Sequence, residues 1–158
     1  MTADIATQLA VERLIARYVA SIDEDRLEEW PGYFAERCRY QIISAENHAK
    51  GLPIGVFFAD SRGMLQDRVS ALRQANIYEP QRYRHLVSSL WITGESGGAI
   101  TAQANFQVIR VMMDGVMDLF CTGKYVDRIV GPAGQRKYAE KRVILDNKRI
   151  DTLLAIPL

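Results

Sequence analysis

Residues 99–115, AITAQANFQVIRVMMDG, decide the fold. Ile100, Ala102, Ala104, Phe106 and Val108 alternate with Thr101, Gln103, Asn105 and Gln107. Successive strand side chains point to opposite faces, so the run predicts a strand with one buried and one polar face. Asp114-Gly115 ends it, and Asp-Gly suits a tight hairpin because such loops need positive φ. Working outward, four more runs are β-rich: Tyr83 to Gly94, Val116 to Gly131, Arg136 to Asp146 and Ile150 to Pro157. Between them stand Glu95-Ser96-Gly97-Gly98, Gly131-Pro132-Ala133-Gly134 and Asp146-Asn147-Lys148. Short loops between long neighbouring strands predict antiparallel hairpins. Gly94 and Gly123 are places where strands of this length bend at low cost.

Upstream the period changes. From Asp4 to about Asp23, Val11, Ile15, Tyr18 and Ile22 recur at helical spacing with Glu12, Arg13 and Arg17 elsewhere on the wheel, which predicts an amphipathic helix. A second helical piece is expected over Asp25 to Trp30, ending near Pro31. Cys38 to Ala45 reads as a short strand, Asn47 to Pro53 as a loop, and Val56, Phe57 and Phe58 as a buried strand. Asp60 or Ser61 caps a further helix with the stripe Leu65, Val69 and Leu72, which stops before Pro80. Helices followed by a run of strands predict an α+β domain over residues 1–158, a curved antiparallel sheet forming a cone covered by the N-terminal helices.

The chain has 158 residues, 48% hydrophobic and 25% charged, as in an ordinary soluble globular protein. No apolar run reaches the ~20 residues that span a bilayer. The N-terminal stretch lacks the pattern of a secretory signal, so a cytoplasmic setting without membrane contact is expected. A net charge of +1 gives no broad field for holding nucleic acid. Cys38 and Cys121 lie far apart in apolar runs and read as free buried thiols.

Only two histidines, His48 and His85, are available. A Rieske cluster needs two cysteines and two histidines in close pairs, and that spacing is absent. A two-histidine, one-carboxylate iron site would use both histidines, and their spacing does not favour it. Walker A, strand-coupled GxGxxG and GxSxG motifs are also missing. One acid/base arrangement stays open: His85 with Asp23, Asp60 or Asp118 could act as general base on a small substrate in the cone. The opposing reading makes His85 a hydrogen-bonding strand residue or an intersubunit contact.

The cluster Tyr78, Glu79, Arg82, Tyr83, Arg84 and His85 is too small for nucleic acid. It fits fold-internal ion pairs, and also a protein interface, where arginine and tyrosine are enriched. Arg110 to Met117 carries three methionines near a hairpin tip and reads as adaptable packing. The apolar LLAIPL run, ending in Pro157 and Leu158, reads as docked within the fold or against a neighbour.

ENHAKGLPIGVFFADSRGMLQDRVSALRQANIYEPQRYRH (46–85), LEEWPGYF (27–34) and DTLLAIPL (151–158) together resemble the small (beta) subunit of aromatic-ring-hydroxylating dioxygenases, over nearly the whole chain. NHAKGL and NIYEPQRYRH are most similar to the branch serving aromatic carboxylates such as terephthalate, salicylate or anthranilate, with a lean to the first two. The resemblance implies a nuclear-transport-factor-2-like cone. It implies no cofactor in this chain: the Rieske [2Fe–2S] cluster, the mononuclear iron and the substrate pocket would belong to a large (alpha) subunit. It further implies a beta homotrimer supporting an α3β3 assembly, with Tyr78, Arg82, Tyr83, Arg84, His85, Pro157 and Leu158 as interface candidates and no catalytic residue. The alternative is a stand-alone cone-fold isomerase or dehydratase using His85.

Overall fold

A computed structural model describes residues 3–75, 78–148, 150 and 154–158. Helix α1 spans Ile5–Asp23, and the Asp4 carboxylate accepts from the Thr7 amide at 2.7 Å at its start. Val11, Ile15, Tyr18 and Ile22 are all buried, so the helical stripe reads correctly. The second helix expected over Asp25 to Trp30 does not form. Asp25 takes a φ of 57°, which breaks the helix, and Pro31 instead opens a 3-10 turn at Trp30–Tyr33. Proline fits a helical first turn because its missing amide hydrogen is unpaired there anyway.

Strand β1, Phe34–Ser44, starts earlier than the Cys38 expected. Ser44 then caps a short helix α2, Ala45–Ala49, its hydroxyl accepting from Asn47 at 3.1 Å, where composition had suggested only loop. Strand β2, Phe57–Ala59, is not the buried strand expected over Val56 to Phe58: Val56 is 54% and Phe58 45% exposed. It is an edge strand paired to β1 alone, so its outward side chains have no second layer to meet. Helix α3, Arg62–Gln74, matches its expectation, with Ser61 capping and Leu65, Val69 and Leu72 buried.

Strands β3 (Gln81–Ser96), β4 (Ala99–Met112), β5 (Met117–Val130) and β6 (Lys137–Leu145) form consecutive antiparallel hairpins. The sheet order is β2-β1-β6-β5-β4-β3, and one pairing departs from antiparallel: β1 runs parallel to β6. Register shifts at Ser88/Trp91, Ile92/Gly94, Val108/Ile109 and Arg128/Ile129 mark bulges, which increase local twist and curve a sheet. Inward residues of β3 to β6 meet α1, while α3 packs on β1 and the 3-10 turn.

Residues 150–157 were expected to include a strand. Residues 154–158 form none; they enter the cone, where Leu154, Ala155, Ile156 and Leu158 are buried. The rest of that expected run, residues 151–153, lies outside the described residues.

Candidate functional site

Alternation along β3 turns Tyr83 and His85 inward and Arg82 and Arg84 outward. His85 Nδ1 lies 2.6 Å from Asp23 Oδ1, and the His85 amide donates to Asp23 Oδ2 at 2.9 Å. A carboxylate accepting at Nδ1 places a proton there, and in a neutral imidazole Nε2 is then the acceptor nitrogen. That Nε2 is buried and finds no hydrogen-bond partner among the described residues. Of the three carboxylates considered from the sequence, only Asp23 meets His85. Asp118 is bound by Arg110 at 2.8 Å, and Asp60 is exposed before α3. The pair has the composition of a general base, but the imidazole is enclosed by the chain itself.

Deeper in the cone, the hydroxyls of Tyr18 and Tyr40 both donate to the Leu158 main-chain oxygen, Tyr40 at 2.8 Å, and the Leu158 amide donates to Tyr40 at 3.1 Å. Burial pushes both phenols well above their usual range, so they remain protonated donors. Arg68 of α3 donates to the Leu154 carbonyl at 2.6 Å and to that of Ala155 at 3.2 Å. On the β5–β6 side, Lys141 Nζ lies 3.1 Å from Asp127 Oδ2 and 3.6 Å from the Tyr125 ring centre. The rings of Tyr18 and Tyr138 complete this cage. Burial pushes Asp127 up and Lys141 down, and the attraction between them opposes both shifts. Sequence reasoning missed this pair. The signal was present, because Lys141 shares strand parity with Val143 and Leu145, and Asp127 with Tyr125 and Ile129.

The outer face is different in kind. Cross-strand register sets Arg82, Val111 and Met117 in one row and Arg84, Ile109 and Leu119 in the next. Two of the three methionines do not serve as packing: Met113 is 76% and Met117 66% exposed, with Val116 and Leu119 also out, while Met112 is half-buried. The sheet's second layer covers only its concave side, so a hairpin tip on the convex side has nothing to pack against. Among the interface candidates, Arg82 and Arg84 are exposed and Tyr78 is half-buried. Tyr83, His85, Pro157 and Leu158 are buried in the chain, although Tyr83 borders one surface crevice and His85 another.

Cys38 and Cys121 are free and buried, as expected, and burial pushes the Cys121 thiol up to about 12. His48 lies on α2, packed on β1 and β6, whereas His85 belongs to the opposite edge strand, so the two do not converge. No group of three or more His, Cys, Asp or Glu among the described residues is arranged to hold a metal ion. No described helix is long and apolar enough to cross a membrane.

The ring hydroxylating beta subunit family model matches residues 17–152. The anthranilate 1,2-dioxygenase small subunit of Burkholderia cepacia is 40% identical over 158 residues, covering 100% of this chain and 98% of that protein. Subunit beta 1 of the terminal oxygenase component of terephthalate 1,2-dioxygenase from Comamonas sp is 39% identical over 153 residues, covering 96% and 98%. A crystal structure described as an aromatic-ring-hydroxylating dioxygenase beta subunit from Novosphingobium aromaticivorans superposes with a TM-score of 0.88 at 41% identity, covering 96% of this chain and 97% of that one. The curved sheet with its helices on the concave side is the nuclear-transport-factor-2-like fold of such subunits. Fold, family match and full-length relatives agree, and the chain belongs to the ring hydroxylating beta subunit family, the small subunits of multicomponent aromatic-ring-hydroxylating dioxygenases.

Proposed function

We propose that this chain is a structural small subunit of an α3β3 oxygenase, working in the cytoplasm. Its alpha subunit carries the Rieske [2Fe–2S] cluster and mononuclear iron and hydroxylates an aromatic carboxylate. The observation that carries this reading is the outer face of β3 to β5, where Arg82 and Arg84 stand beside Ile109, Val111, Met117 and Leu119. Guanidinium groups beside exposed Met117 and Leu119 and half-buried Ile109 and Val111 suit a protein interface centre, where the stem packs and the planar head pairs. Tyr78, in the segment leading into β3, borders the same end of the strand. The relatives named for anthranilate and terephthalate support the substrate class, since both compounds carry a carboxylate on an aromatic ring.

The test is co-purification with the alpha subunit, with the mass of the complex measured by light scattering. An Arg82→Ala, Arg84→Ala chain is expected to weaken assembly by roughly 2 kcal/mol or more, because truncation leaves partner acceptors unpaired. Its isolated thermal melt should stay within about 0.5 kcal/mol of the parent, as for exposed positions generally. Normal assembly of that variant overturns the assignment of this face. The Asp23–His85 pair favours a second reading, an isomerase or dehydratase with His85 as general base. The enclosure of Nε2 weighs against it, and turnover of a small keto or hydroxylated compound by the isolated chain is what would favour it.

A further inference from the structure

Residues 154–158 occupy the part of a cone where a ligand cavity would lie. The segment receives donors from three separate elements: Tyr18 of α1, Tyr40 of β1 and Arg68 of α3. Tyr18 and Tyr40 meet at one oxygen, that of Leu158. Arg68, Tyr40 and Trp30 line one and the same small void beside the segment. The walls are Trp30, Ile42 and Phe57, with the Arg68 guanidinium 5.3 Å over the Phe57 ring. Buried Trp30 Nε1 makes no hydrogen bond of ordinary geometry among the described residues, and its N–H acts on the Tyr18 hydroxyl beside it. Beside the segment, a void of only about 10 Å³ remains, so the space is filled.

Without the segment, two phenols, a guanidinium and an indole N–H would face an apolar, aromatic-walled cavity. Four donors against flat apolar walls match an anion with two oxygens on a small ring, because a guanidinium binds a carboxylate through two parallel hydrogen bonds. We propose that the cone interior is a binding site for a small aromatic monocarboxylate, which the chain holds closed with its own residues 154–158. The Leu158 main-chain oxygen and side chain then stand in for the ligand's oxygen and apolar body. Ile156 also borders the surface crevice formed by Asp23, Tyr78, Gln81 and Tyr83, which gives the site a way out. Binding to the intact chain is weakened by the small fraction of time the segment is displaced.

The experiment uses the isolated chain, so its outcome does not depend on assembly with an alpha subunit. Residues 154–158 are deleted in a Trp91→Phe background, which leaves buried Trp30 as the fluorescence reporter of the chain's two tryptophans. Sodium benzoate is titrated, with benzyl alcohol as the same ring lacking the carboxylate. The truncated chain is expected to bind benzoate at least about tenfold more tightly than the intact one. Adding Tyr40→Phe should weaken that binding by about tenfold, the loss of one hydrogen bond to a charged group. A folded truncated chain that ignores benzoate, or binds benzyl alcohol equally well, overturns the proposal. Where truncation prevents folding, hydrogen exchange on the intact chain decides. Saturating benzoate should speed exchange of the amides at 154, 155, 156 and 158 while β1 stays protected, and unchanged exchange overturns the proposal.

Discussion

Lys141 is fully buried, and its ammonium is held by Asp127 and three phenol rings. Removing one member of a buried pair leaves the other charge uncompensated, so Lys141→Met is expected to cost about 3–5 kcal/mol in urea unfolding. The double replacement Lys141→Met, Asp127→Leu should recover most of that loss, because apolar residues of similar volume can replace a buried pair at little cost. At the surface of α2, His48 has its pKa lowered from 6.5, first by burial and then by repulsion from Arg142 and Lys124. The folded state therefore binds fewer protons there than the unfolded chain. Its stabilising contribution is fully present above pH 6.5 and is lost as pH falls through the lower folded value. Melting temperature measured from that point down to about pH 5, above the carboxylate range, should fall less steeply for His48→Gln than for the parent. An equal slope would assign the loss to other groups.

Among the elements, the hairpins were legible because alternation and turn residues are local signals. Ile100 to Val108 and Asp114-Gly115 read correctly, as did the stripes of α1 and α3. The misread elements each depended on something distant. Val56 and Phe58 are apolar, yet β2 lies at an edge, and the short helix α2 depends on one serine cap. Gly123, a candidate bend in the sequence, also sits where two backbones come very close. A Cβ there would lie 1.9 Å from the Ile144 carbonyl oxygen, which is backbone and cannot rotate away. Gly123→Ala is expected to destabilise by about 3 kcal/mol in thermal unfolding, through forced separation of β5 and β6. Gly32→Ala, with nothing within 4 Å of its new Cβ, serves as the control and should change stability by less than about 0.5 kcal/mol.

For the whole molecule, the sheet divides the labour between its faces. The concave side is closed by α1, α3 and residues 154–158, and the convex side leaves Arg82, Arg84, Met117 and Leu119 outward. Assembly measurements therefore read the convex side: the two arginine replacements, and Leu119→Asp in the same row as Arg84, are expected to weaken the complex without lowering the isolated chain's melt. Ligand titrations read the concave side. Strand parity divides Arg82 and Arg84 from Tyr83 and His85, although all four adjoin in sequence.

The sequence by itself determined the helices α1 and α3, the four long hairpin strands and the free thiols, because each rests on local periodicity, capping or composition. It also carried the family, through residues 27–34, 46–85 and 151–158. Only the tertiary structure decided that β1 pairs parallel to β6, that Asp23 rather than Asp118 meets His85, and that Leu158 turns inward to Tyr18 and Tyr40. Those contacts join residues 62, 118 and 140 positions apart. No local pattern encodes them, because the closing of the sheet into a cone brings those residues together.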